Sequence, residues 1–171
     1  MPNIKEVLAK AKPREHTVRM CVAGDAAAEY DRLEAQLSST AQWQPQSMAE
    51  ANPSSAIAER MVAVQEQMRE AEVDFTFRAL GKLAWSDLVA EHPSSTEGEL
   101  FDPETLAPAL VAACAVDPEM TREDVDELFE TLNMRQRQQL TEAAWHVNGE
   151  ATSVPFSLHA SAILASLTAE K

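Results

Sequence analysis

The chain has 171 residues, of which 45% are hydrophobic, so it is long enough for one sizeable domain and too apolar for wholesale disorder. Glycine is scarce, at 4 residues, which favours helix over sheet. With 28 acidic against 14 basic residues the net charge is -14, a sign that repels phosphate backbones and disfavours nucleic-acid binding by the body of the protein. The charge is uneven. Residues 1–22 hold five Lys or Arg and two Glu, a net of +3, which leaves -17 for the remainder.

Residues 2–12, PNIKEVLAKAK, predict a short amphipathic helix with Ile4, Val7 and Leu8 on one side and Pro13 at its end. From His16 to Val22 the chain alternates, with Val18, Met20 and Val22 apolar, which predicts a strand. Gly24 and Asp25 turn the chain, with Asp25 as expected N-cap of a helix that presents Ala26, Tyr30, Leu33 and Leu37. Residues 38–55, with Pro45, Pro53 and five Ser, read as a flexible connection. Trp43 inside it is either a lid tucked onto the domain or a contact anchor for a partner. A helix over 55–72 carries a heptad-like stripe of Ile57, Met61, Val64 and Met68. That stripe packs on the sheet or pairs with the same helix of another subunit, and flexible Met side chains suit either contact.

The best-defined strand follows at Val73–Leu80, where Val73, Phe75, Phe77 and Ala79 alternate with Asp74, Thr76 and Arg78. Gly81 breaks the alternation, and Trp85, Leu88, Val89 and His92 then form one helical face that Pro93 stops. A helix around Leu106, Leu110, Ala113 and Cys114 is expected to start at Thr105 rather than Asp102, which would put Pro108 in the first turn, and to close at Asp117-Pro118. Thr121 with Asp124 resembles a capping box ahead of Val125, Leu128, Phe129 and Leu132. Beyond Asn133 a helix with Leu140, Ala143, Ala144 and Val147 should pack antiparallel on its acidic predecessor. A last short helix follows the 148–153 loop, with Ser157 as its cap and Leu158, Ile163, Leu164 and Leu167 as its apolar positions. The expected fold is mainly α with a small β element (α+β): a short two-stranded sheet plus a C-terminal helical bundle. The expected division is 1–54, a β-α region with the flexible connection; 55–150, strand plus helical core; and 151–171, a C-terminal helix.

Residues that could carry chemistry are sparse. No Gly-rich phosphate loop, nucleophile elbow or metal-spaced Cys/His pair is present, and His16, His92, His146 and His159 are scattered singly. The carboxylates are best explained as solvated helix faces and helix N-termini. Glu97–Glu104 lacks the Asp/Asn ladder and central Gly of an EF-hand. Cys21 and Cys114 sit in apolar periodic segments and read as buried thiols, although one long-range disulfide would be compatible with an oxidising compartment. The start is charged and lacks the apolar core of a signal peptide, and no apolar run approaches the roughly 18 residues of a membrane span. The expectation is a cytoplasmic protein that is not an enzyme and uses no cofactor.

One stretch carries a family likeness. VDFTFRALGKLAWSDLVAEHP, then FDPETLAPALVAACAVDPEMTREDVDELFETLN, resembles the tail assembly chaperones of long-tailed (siphovirus-type) bacteriophages. The matching features are a strand, a helix with an aromatic and a hydrophobic-Pro end (Trp85 to Pro93), the Phe101 to Cys114 helix with its P-E-T and P-A-L steps, and the D-P-x-M-T joint from Asp117 to Thr121. An acidic helix follows, whose final aromatic is shifted to Phe129 in Leu128-Phe129-Glu130-Thr131-Leu132-Asn133. The resemblance covers about residues 70–150. It implies a cytoplasmic factor, absent from the mature virion, that coats the tape measure protein and helps recruit the tail tube protein. It also implies a short form beside a frameshifted long form of the same chain. A very acidic helical protein can hold a partner on exposed apolar stripes while staying soluble. The candidate partner-binding stripes are Ile57, Met61, Val64 and Met68, and Leu158, Ile163, Leu164 and Leu167. The alternative is a structural or adaptor protein that forms a homo-oligomer through the 55–72 helix.

Overall fold

The computed structural model describes residues 3–40, 43–44 and 52–151. In chain order the elements are α1 (Ile4–Lys10), β1 (Glu15–Cys21), α2 (Gly24–Ser39), α3 (Ser54–Glu70), β2 (Glu72–Arg78), α4 (Lys82–Ala90), α5 (Pro103–Cys114), β3 (Ala115–Asp117), α6 (Arg122–Thr131) and α7 (Met134–Gly149). Among the described residues seven helices and a small antiparallel sheet make a mainly α fold with a minor β element. The expected C-terminal helix, with Ser157, lies outside the described residues.

The sheet has the order β1-β2-β3, and β1 pairs with β2 from Glu15↔Arg78 to Cys21↔Glu72. The period-two pattern works out as read. Val18↔Phe75 and Met20↔Val73 share the inner face. On the outer face the Thr17 and Thr76 hydroxyls meet at 2.9 Å, Arg19 donates to both Asp74 oxygens at 2.6 and 2.7 Å, and Arg78 donates to Glu15 at 2.7 Å. The Arg19 hydrogen bonds hold the Asp74 carboxyl below its ordinary range. These pairs lie in water, so they fix register more than they add stability.

The expected two-stranded sheet is corrected by β3, which pairs with β2 through Thr76↔Asp117 and Phe77↔Ala115. Three residues show no readable alternation, and they follow α5 with no turn residue between.

The core lies between the inner sheet face and α5 and α7. Phe75, Phe77, Leu110, Val111, Cys114, Val125, Leu132, Leu140, Ala144 and Val147 are buried there together. α5 is apolar on most sides, as expected of a helix with neighbours all round it. α6 and α7 each pack on α5 more than on one another, so the expected antiparallel hairpin of these two is not formed. Trp85 stacks edge-on to Trp145 at 5.6 Å, and Phe101 lies 5.7 Å from the same ring, which closes α4 and the loop before α5 onto α7.

Two caps differ from expectation. α5 begins at Asp102, whose carboxylate accepts from Glu104 N at 2.9 Å with Pro103 as the first helical residue, so Thr105 is not the cap. Pro108 therefore lies in the second turn, where it deletes one i→i−4 bond. α2 begins at Gly24 after an uncapped Ala23, which leaves Asp25 in the first turn, accepting from Ala26 N at 2.8 Å. The Thr121/Asp124 box is present as read, and its hydrogen bonds hold Asp124 below the ordinary carboxylate range. A second box caps α7, where Asn133 and Gln136 exchange bonds, and Gln136 Nε2 also donates to the Cys21 carbonyl at 2.8 Å. At the other end of α7, Asn148 accepts from Leu80 N at 2.8 Å. α7 is thus tied to both ends of the strand pair.

A second buried cluster is separate from the first. Ala26 and Leu33 of α2 meet Val64 of α3, with Tyr30, Ile57, Met61 and Met68 packed around them. The boundary expected at 54 falls between two helices that pack on one another, and β1, on its N-terminal side, pairs with β2 along its whole length.

Candidate protein-interaction surface

Three places in the described structure bring functional-looking side chains together. The first is ionic. Arg14 Nη2 lies 2.6 Å from His146 Nε2, and Arg14 also reaches Glu150 Oε2 at 3.4 Å. Guanidinium has no acceptor, so Nε2 takes the hydrogen bond and the ring proton sits on Nδ1, which faces Glu150 Oε1 at 2.9 Å. The His16 ring lies 4.7 Å from that of His146, tilted by 47°. Two histidines that are scattered singly in sequence therefore meet across β1 and α7, a pairing set by β1 lying on α7 and invisible to spacing. The adjoining hollow is lined by Val18, Arg135, Gln139, Glu142 and Ala143 beside the two rings, with no hydroxyl or thiol nucleophile among them. Among the described residues no group of three or more His, Cys, Asp or Glu is placed to hold a metal ion. Cys21 and Cys114 are both free thiols, and burial pushes the Cys114 thiol up in pKa, away from reactivity.

The second place is the stripe on α3. Val64 is 5% exposed, and Ile57, Met61 and Met68 are half-buried, all facing α2. Within the chain the stripe packs mainly on α2, and only Val64 of the four is fully covered. Met68 also lines a cleft with Cys21, Tyr30, Gln65, Arg69 and Glu72. Leu158, Ile163, Leu164 and Leu167 lie outside the described residues. Trp43 is half-buried.

The third place is an apolar groove of about 510 Å³ between α6 and the end of the sheet. Val22, Val73 and Phe75 supply the sheet side, Pro118 and Met120 the joint after β3, and Leu128 the α6 side. Its rim carries Asp124, Glu127 and Thr131. The groove exists because α6 docks on α5 through Val125, which is fully buried, and stands off from β2. One turn further along α6, Leu128 is left half-buried with space in front of it. The sequence assigned Val22, Val73 and Leu128 to core faces, which is correct as to direction. No signal in it says that the core stops short of this end of the sheet.

No family model matches the chain, and no curated protein or solved structure matches it either. The groove thus stands on its geometry: a concave apolar floor, an acidic rim and no charged side chain on its floor. That combination suits an apolar helix face or extended segment with basic flanks. No described helix is long and apolar enough to cross a membrane.

Proposed function

We propose that this chain is a tail assembly chaperone of a long-tailed bacteriophage, one that holds the tape measure protein in the host cytoplasm and helps bring tail tube protein to it, without catalysis. The observation that carries the reading is the groove, because Val73, Phe75, Pro118, Met120, Asp124 and Leu128 all lie in the stretch that resembles that family. A long helical client presents repeated apolar faces, and an open apolar groove accepts such faces one after another with little demand on their sequence. The acidic surface keeps the complex soluble. The adaptor alternative draws on the α3 stripe, where α2 already packs over Val64 and leaves less apolar surface than the groove does.

The test is co-expression with the long helical protein encoded beside this chain. The expected result is that the client becomes soluble and co-purifies only when this chain is present. Glu127→Lys, an exposed change on the groove rim, should lower the recovered client several-fold, whereas Arg60→Ala on α3 should not. Client that stays insoluble, or recovery that ignores Glu127, contradicts the proposal.

A further inference from the structure

We propose that α1 of a second copy of this chain docks in the α6 groove, so that two copies exchange their first helices. The exchange concerns the groove itself and stands whether or not the client is a tape measure protein.

Among the described residues the apolar side of α1 has no partner in its own chain. Ile4, Val7 and Leu8 are 66%, 47% and 65% exposed, and the helix has no buried residue. It is nevertheless properly built. Asn3 caps it by accepting from Lys5 N at 3.2 Å, and its acidic and basic residues sit at the ends that suit the helix dipole. Seven residues are too few to hold a helix by propensity alone, so this face calls for a surface to lie on.

Charge selects the surface. Lys5 and Lys10 of α1, with Lys12 just after it, outnumber Glu6 and leave the segment basic in a chain whose net charge is -14. Two such chains repel, and the basic start is the segment whose sign favours approach. The groove offers the complement, with Asp124 and Glu127 on its rim and Glu123, Asp126 and Glu130 on the same helix.

The chain's own α1 does not fill the groove: none of its residues lines it, and Ile4, Val7 and Leu8 stay exposed. Arg14 is pinned to the start of the strand pair, its carbonyl accepting from Ala79 N at 2.8 Å. Only Ala11 to Pro13 separate it from α1, and Lys10 to Arg14 span at most about 14 Å. A second copy can bring its own α1 to the groove from outside. One seven-residue helix is a small contact, but a two-fold arrangement makes it twice, with each α1 in the other chain's groove.

The experiment is sedimentation equilibrium of the full chain at a series of concentrations, with no client present. The expected result is a monomer–dimer equilibrium in the micromolar range. Ile4→Glu with Leu8→Glu, at exposed positions, should weaken it at least tenfold, and Glu127→Lys should weaken it similarly. An equal mixture of the two variants should regain heterodimer, because one α1 and one groove remain intact across the pair. Client capture should survive the α1 substitutions, which separates this proposal from the functional one. A wild-type chain that is monomeric throughout, a dimer indifferent to the α1 substitutions, or variants that fail to complement would each overturn it.

Discussion

Phe77→Ala is expected to destabilise the protein by about 3–5 kcal/mol, the range for emptying an aromatic site in a packed core. Phe77 is 0% exposed, pairs with His16 in β1 and Ala115 in β3, and shares the main core with α5 and α7. It is the one inner-face residue of the central strand that touches both neighbouring strands in register. Against a typical stability of about 5–15 kcal/mol the loss is a large share of the whole. Urea unfolding should show a lower midpoint with an unchanged slope. Arg78→Ala, the next residue on the outer face, removes only the exposed contact to Glu15 and should change stability by less than about 1 kcal/mol. Equal effects at 77 and 78 would mean that the two faces of β2 are not distinct.

Leu33→Ala carries a comparable local penalty, about 2–5 kcal/mol, with a different consequence. Leu33 is 1% exposed, but it belongs to the small cluster of α2 and α3, whose buried members are only Ala26, Leu33 and Val64. Few contacts stand behind it, so the penalty should open the helical pair rather than the molecule. Amide hydrogen exchange should speed up over Gly24–Ser39 and Ser54–Glu70, while β2 and α5 keep their protection. Simultaneous loss of protection in all four would show one cooperative unit and refute the separation of the two clusters.

Those two sites also show what the sequence made legible. The alternation at Val73–Phe77 named the inner face of β2 because one side of the sheet is water and the other is core. The 3.6-residue periods of α6 and α7, and the Thr121/Asp124 box, were equally plain, since each depends on neighbours a few residues away. Contacts between distant segments were not. Ile57, Met61, Val64 and Met68 were readable as an apolar stripe, but not as one that faces α2, because a stripe states that a partner exists without saying which. β3 was hidden by its length. α5 started three residues earlier than expected because Asp102 with Pro103 is a stronger start than Thr105, at the expense of one helical bond at Pro108. The groove and the His16–His146 contact depend on how far α6 and α7 stand from the sheet, a distance that no local pattern encodes.

Client binding is proposed to fall on the α6 groove. Hydrogen exchange of the chain alone and in complex with the co-expressed tape measure protein tests it most directly. New protection is expected over Met120–Thr131 and Val73–Phe75, with α3 unchanged. Protection confined to Ile57–Met68, or none anywhere in the described residues, would contradict it.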